Sequence, residues 1–275
     1  MSTLQVDVEQ AIASKNKKLA KWTPRFIIRW IEKLIHQDEI NIFLAKHEHD
    51  SAIDFAKFGL EEFAKASITV NNEENIPKTG RYILVSNHPL GAIDGLALIS
   101  LMGKYRTDIK FPVNDLLLAI KPMNSIFLPI NKHGRNEKEA AKVIHNTFAS
   151  NDLILYFPAG LCSRKIKGKI QDLEWKKTII QKAIVYQRDI IPAFFEGKNS
   201  ARFYRIANWR KRLGIKTNIE MLLLPDEMVK QKGNNFTVTF GAPIPYTIFD
   251  ETKTLKEWAA WLREETLKMN QEYFQ

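Results

Sequence analysis

Cysteine is nearly missing from this 275-residue chain: Cys162 stands alone, so no internal disulfide can form. No paired Cys/His spacing suggests a zinc site, and the chain reads as one suited to a reducing, cytoplasmic compartment. Long hydrophobic runs are lacking too. The longest, such as Gly95 to Gly103, fall far short of the roughly 20 apolar residues that cross a hydrocarbon core, so no membrane-spanning helix is expected. Residues 1–20 mix charged and apolar positions instead of placing a basic head before an apolar run, which is not the pattern of a secretory signal. No internal repeat, low-complexity tract or flexible linker is found.

Positive charge is in excess, with 41 Lys and Arg against 31 Asp and Glu, a net +10. That balance implies an anionic partner: nucleic acid, anionic lipid or a phosphorylated co-substrate. No recognition-helix, zinc-finger or ribonucleoprotein motif accompanies it, so nucleic acid is not the expected partner, although a basic nucleic-acid- or membrane-binding protein is the non-enzyme alternative. Between Lys15 and Ile35, Trp22, Phe26, Ile27, Trp30, Ile31, Leu34 and Ile35 recur at helical spacing, with Lys18, Lys21, Arg25, Arg29 and Lys33 at other positions. This predicts one basic amphipathic helix. A second helical pattern, unusually aromatic, runs from Ile53 to Phe63. Aromatic, apolar and cationic residues together suit the headgroup boundary of a bilayer, and packing on a core is the alternative. Residues 1–76 are therefore expected to form an amphipathic helical lead that makes peripheral membrane contact.

From Pro77 the pattern changes to alternating strands and helices, and residues 77–275 are expected to form one α/β catalytic domain, a mixed sheet covered by helices. Strands are predicted at Arg81–Asn87, Ile109–Val113, Ile126–Ile130, Leu153–Phe157, Ile190–Phe194, Ile219–Leu224 and Phe236–Phe240. Helices are predicted at Leu96–Met102, Glu137–Ser150, Trp175–Tyr186 and Leu255–Met269, the last as an amphipathic segment docked on the core.

Chemistry is expected where the first strong strand ends. Ser86-Asn87-His88-Pro89-Leu90-Gly91-Ala92-Ile93-Asp94 puts a histidine at a strand exit, where α/β folds bind ligands, and an aspartate at the start of a helix. A histidine whose far nitrogen meets a carboxylate is the arrangement of an activated general base. Three further segments follow in order: Leu128 to Arg135 with Lys132 and Arg135, Tyr156 to Arg164 with Gly160 and Arg164, and Ile190 to Ala193.

Together these four blocks resemble those of the glycerolipid (PlsC-type) acyltransferases, over about Arg81 to Glu196. The resemblance implies a glycerolipid acyltransferase-like fold and an enzyme that moves a fatty acyl group from acyl-CoA or acyl-ACP, as co-substrate, onto a glycerolipid or lysophospholipid. No metal or other cofactor is implied. His88 is then the base and Asp94 its support, while Lys132, Arg135, Gly160 and Arg164 bind substrate. Two departures stand out. His88 and Asp94 enclose five residues where the family has four, and the family's Phe-Pro-Glu-Gly-Thr-Arg block has Ala159, Leu161 and Cys162 in place of its Glu, Thr and Arg. The His-Pro-Leu-Gly form resembles a bacterial hemolysin-like subgroup related to amino-acid lipid synthesis. The alternative acceptor is accordingly an ornithine- or glycine-based lipid, acylated on N or O. The expected location is the cytoplasmic face of the inner membrane.

Two other candidates rank below this site. An isolated cysteine is more often inert than nucleophilic, and Cys162 has no partner identifiable in sequence. His47-Glu48-His49-Asp50 has metal-ligand residue types, but on a helix His47 and His49 point about 200° apart.

Overall fold

The computed structural model describes residues 5–15, 21–129 and 137–270. Its centre is a seven-stranded sheet of β1 (Ser67–Asn71), β2 (Tyr82–Ser86), β3 (Ile109–Val113), β4 (Phe127–Pro129), β5 (Leu153–Tyr156), β8 (Asp189–Phe195) and β9 (Asn235–Phe240), in the order β1-β9-β8-β2-β5-β3-β4. All neighbours are parallel except β8 and β9, so the sheet is mixed, as expected. A separate antiparallel hairpin joins β6 (Arg164–Ile166) to β7 (Lys169–Gln171). The helices are α1 (Val8–Lys15), α2 (Arg25–Leu34), α3 (Gln37–Lys46), α4 (Ala52–Phe58), α5 (Ala92–Met102), α6 (Glu137–Ala149), α7 (Thr178–Tyr186), α8 (Ala201–Arg212), α9 (Leu224–Lys230) and α10 (Leu255–Lys268).

Strand β2 is central, and Ile83, Leu84 and Val85 are all fully buried, because a strand covered by helices on both faces needs apolar residues on both. Leu84 enters a core with Phe55 and Ala56 of α4 and Leu98 and Met102 of α5. Ile83 and Val85 point the other way, onto Ile179 and Ile180 of α7 and Trp258 and Leu262 of α10. Each such side chain contributes about 1.5–3 kcal/mol on leaving water. Helix α10 starts with a capping box, the Thr254 hydroxyl accepting from Glu257 N–H and the Glu257 carboxylate accepting from Thr254 N–H.

Several expectations are corrected. The predicted Lys15–Ile35 helix is not continuous: Pro24, with no N–H to donate, stands at the start of α2. The aromatic pattern from Ile53 to Phe63 is a packing element, since Phe55, Ala56 and Leu60 are buried in the main core. Ile219–Leu224 is not a strand. It forms a 3₁₀ turn (Ile219–Leu223) running into α9, with Pro225 in the first helical turn, where a missing N–H costs nothing. Strand β1, helix α3 and helix α8 had no counterpart in the sequence reading. The segment after Gly160 contains the β6–β7 hairpin, closed by Lys167 and Gly168, both at positive φ.

Candidate functional site

Strands β2 and β5 run side by side with Val85 opposite Tyr156, so both chains leave the sheet at the same edge. The residues that follow meet there. The His88 ring stacks on the Phe157 ring with centroids 4.0 Å apart and planes 17° from parallel. Two side chains hold the strand exit. Asn87 bridges to β8, donating through Nδ2 to Phe195 O (2.9 Å) and accepting at Oδ1 from Phe195 N–H (2.7 Å). Asp172, buried just beyond β7, accepts from His88 N–H (3.1 Å), Ser163 Oγ (2.6 Å) and Trp175 Nε1 (3.0 Å). Sequence reasoning assigned neither residue a role, and Asp172 lies too far along the chain for any local pattern to reveal it.

The loop after His88 turns back on itself and delivers Asp94, in the first turn of α5, to the imidazole. His88 Nδ1 lies 3.0 Å from Asp94 Oδ2. The same oxygen accepts from Leu90 N–H (3.0 Å) and Gly91 N–H (3.2 Å), and Oδ1 accepts from Gly95 N–H (3.0 Å). A carboxylate among free amides at a helix N-terminus is favoured by the helix dipole. The extra loop residue is therefore absorbed by backbone conformation. Gly91 sits at φ +97°, and a Cβ there would lie 3.0 Å from Leu224 and 3.2 Å from the Cys162 sulfur.

Burial works against a charged imidazole at His88, but the Asp94 carboxylate, aided by Cys162, outweighs it and raises the histidine well above its usual range. With Nδ1 on Asp94, Nε2 is the nitrogen left for proton transfer. The side chain keeps 16% of its surface exposed while Asp94 has none, so the base is reachable and its partner is not. Cys162, which also raises His88, is wholly buried under Phe203, Tyr204 and Leu223.

The remaining candidates fare differently. Arg164 is engaged within the protein. Its guanidinium is buried, with one nitrogen 2.8 Å from Glu220 Oε1 and another donating to Cys162 O at 2.6 Å. Arg210 Nε reaches the other Glu220 oxygen at 2.8 Å. The Gly160 N–H donates to Phe157 O (3.0 Å) within a turn, so it is not a free oxyanion donor. Gly160 lies at φ +69°, and a Cβ there would come within 3.1 Å of the Lys176 ammonium. Lys132 and Arg135 lie outside the described residues. His47 is buried and bonded to Asp50 (2.6 Å) and Glu62 (3.3 Å), and among the described residues no group of His, Cys, Asp and Glu could hold a metal ion.

A family model described as acyltransferase matches residues 10–273. The chain is 44% identical over 269 residues to a lyso-glycine lipid O-acyltransferase of Bacteroides thetaiotaomicron, covering 98% of each protein. It is 42% identical to the lyso-glycine lipid O-acyltransferase of Phocaeicola vulgatus, covering 98% of this chain and 96% of that one. The 1-acyl-sn-glycerophosphate acyltransferase PlsC from Thermotoga maritima, a solved structure, superposes with a TM-score of 0.46 at 15% identity, covering 90% of this chain and 93% of its own.

Proposed function

The chain belongs to this acyltransferase family and acts on lipids, and from that premise we propose that it acylates the hydroxyl of a lyso-lipid bearing a glycine headgroup. The observation that carries the reading is the His88–Asp94 pair at the exit of β2, with Nδ1 on the carboxylate and Nε2 left for the acceptor. The donor is a fatty acyl thioester, on coenzyme A or an acyl carrier protein. The acceptor oxygen attacks the thioester carbonyl while its proton passes to His88 Nε2. Asp94 holds the ring in one tautomer and stabilises the imidazolium. Collapse of the tetrahedral intermediate breaks the C–S bond, and the imidazolium returns the proton to the departing sulfur, giving an ester and a free thiol.

This reading takes the glycine-lipid acceptor, the alternative in the sequence, over the glycerolipid or lysophospholipid. Two features support it. Both relatives act, by their names, on a lyso-glycine lipid. In addition, the third block offers no open arginine for a phosphate: Cys162 stands where the family has one, and Arg164 is committed to Glu220. The cytoplasmic membrane face, where both thioesters would be met, is part of the same proposal.

The test incubates the purified full chain with lyso-glycine lipid or lysophosphatidic acid, each with acyl-CoA and with acyl-ACP, and follows products by mass spectrometry. The expected result is ester formed on the glycine lipid at least tenfold faster than on lysophosphatidic acid. Equal or reversed rates would return the acceptor to the phospholipid class.

A further inference from the structure

Residues 201–222, comprising α8 and the turn that follows it, carry an exposed apolar face that acyl transfer does not use. Trp209 is 66% exposed and Leu213, one helical turn on, 73%, and Ile219 and Leu222, in the turn beyond the helix, are exposed as well. The segment holds six cations, Arg202, Arg205, Arg210, Lys211, Arg212 and Lys216, against the single acid Glu220, which is fully buried between Arg164 and Arg210. Arg205, Lys211, Arg212 and Lys216 stay exposed in the same segment. Exposed aromatic and aliphatic side chains in one segment with exposed cations have the chemistry of the boundary between acyl chains and anionic headgroups.

We propose that this face seats on an anionic lipid bilayer and is an anchor separate from the N-terminal helix. Charge selects the occupant. A second copy of the chain would set four exposed cations against four more, whereas an anionic bilayer answers them. The location fits the chemistry, because the buried side of α8 gives Phe203 and Tyr204 to the core that covers Cys162, and the Cys162 sulfur lies 3.2 Å from where a Cβ on Gly91, in the loop between His88 and Asp94, would stand. Helix α2 reaches the same core through Leu34, so both anchoring elements border the catalytic pair. The inference rests on the lipid-acyltransferase reading for why a bilayer is needed, not for the surface itself.

The experiment sediments the full chain with phosphatidylglycerol or phosphatidylcholine vesicles, as wild type and as two variants: W209S/L213S/L222S, and K211E/R212E/K216E in case the first unfolds. Circular dichroism checks the fold, and turnover is measured on lyso-glycine lipid dispersed in detergent. Each folded variant should lose about tenfold or more of its partition onto phosphatidylglycerol, with turnover in detergent unchanged. Unchanged partition in either folded variant overturns the proposal, as does a dimeric wild type that the first variant makes monomeric, which would assign the face to a second copy. Vesicle binding lost on mutation in a protein that transfers no acyl group in detergent would support the anchor and sink the acyl-transfer reading alone.

Discussion

The imidazole of His88 is stacked, ion-paired and mostly buried, and each contact affects when it can accept a proton. Removing it in His88→Ala should lower turnover by roughly 10²-fold to 10⁴-fold with the fold intact. Because Asp94 raises the histidine above its ordinary value of about 6.5, kcat/KM should fall as pH drops through that raised value, where the imidazolium can no longer take a proton. In Asp94→Asn burial acts without the opposing charge, so the acid limb should move to lower pH while turnover also drops. A limb that stays in place would mean that another group raises the histidine. Cys162 tests whether the acyl group ever rests on the protein. The thiol is wholly buried, so a thioester would have to open the core to reach it, and direct transfer predicts that Cys162→Ala keeps turnover within about tenfold of wild type. A loss matching that of His88→Ala, in a folded variant, would make Cys162 a nucleophile.

Among the elements, the β6–β7 hairpin and α8 are held together by Arg164, Glu220 and Arg210, an acid buried between two arginines. Removing the acid leaves two cations without their partner, so Glu220→Ala should cost about 3–5 kcal/mol, read by urea unfolding. Less than about 1 kcal/mol would mean that water enters and the trio contributes little. This network also marks where the sequence was hardest to read. Strands β2, β3, β5, β8 and β9 were legible because buried strands need unbroken or alternating apolar runs. Ile219–Leu224 is equally apolar, yet its leucines are divided between a core and an exposed face, a division that six residues of sequence do not reveal. Strand β1, at the sheet edge, has no buried residue to betray it. The site was legible to the same extent: His88 and Asp94 lie within one loop, whereas Asp172 and the burial of Arg164 depend on contacts made only after folding.

For the molecule as a whole, an enzyme working on lipids must hold its catalytic edge against a surface. Among the described residues no helix is long and apolar enough to cross a membrane. Helix α2 and the residues flanking it pack on one side and leave the other side exposed. Ile28 and Ile35 are buried against Val8, while Trp22, Phe26 and Trp30 are 82%, 72% and 58% exposed. Exposed side chains contribute little to folding, so W22S/F26S/W30S should change stability by no more than about 0.5 kcal/mol. The rings and the neighbouring Lys21, Arg25 and Arg29 would act together, each cation adding on the order of 1 kcal/mol near an anionic surface. Wild type should therefore sediment with anionic vesicles far more than with neutral ones and be partly released by high salt. The triple variant should lose about tenfold or more of this binding while still acylating a soluble short-chain acceptor. Two such anchors on one chain would multiply their partition constants, so either defect alone should be visible and both together should leave the protein in solution. Unchanged sedimentation of the folded triple variant would leave α2 as a packing element, with the membrane face on α8 alone.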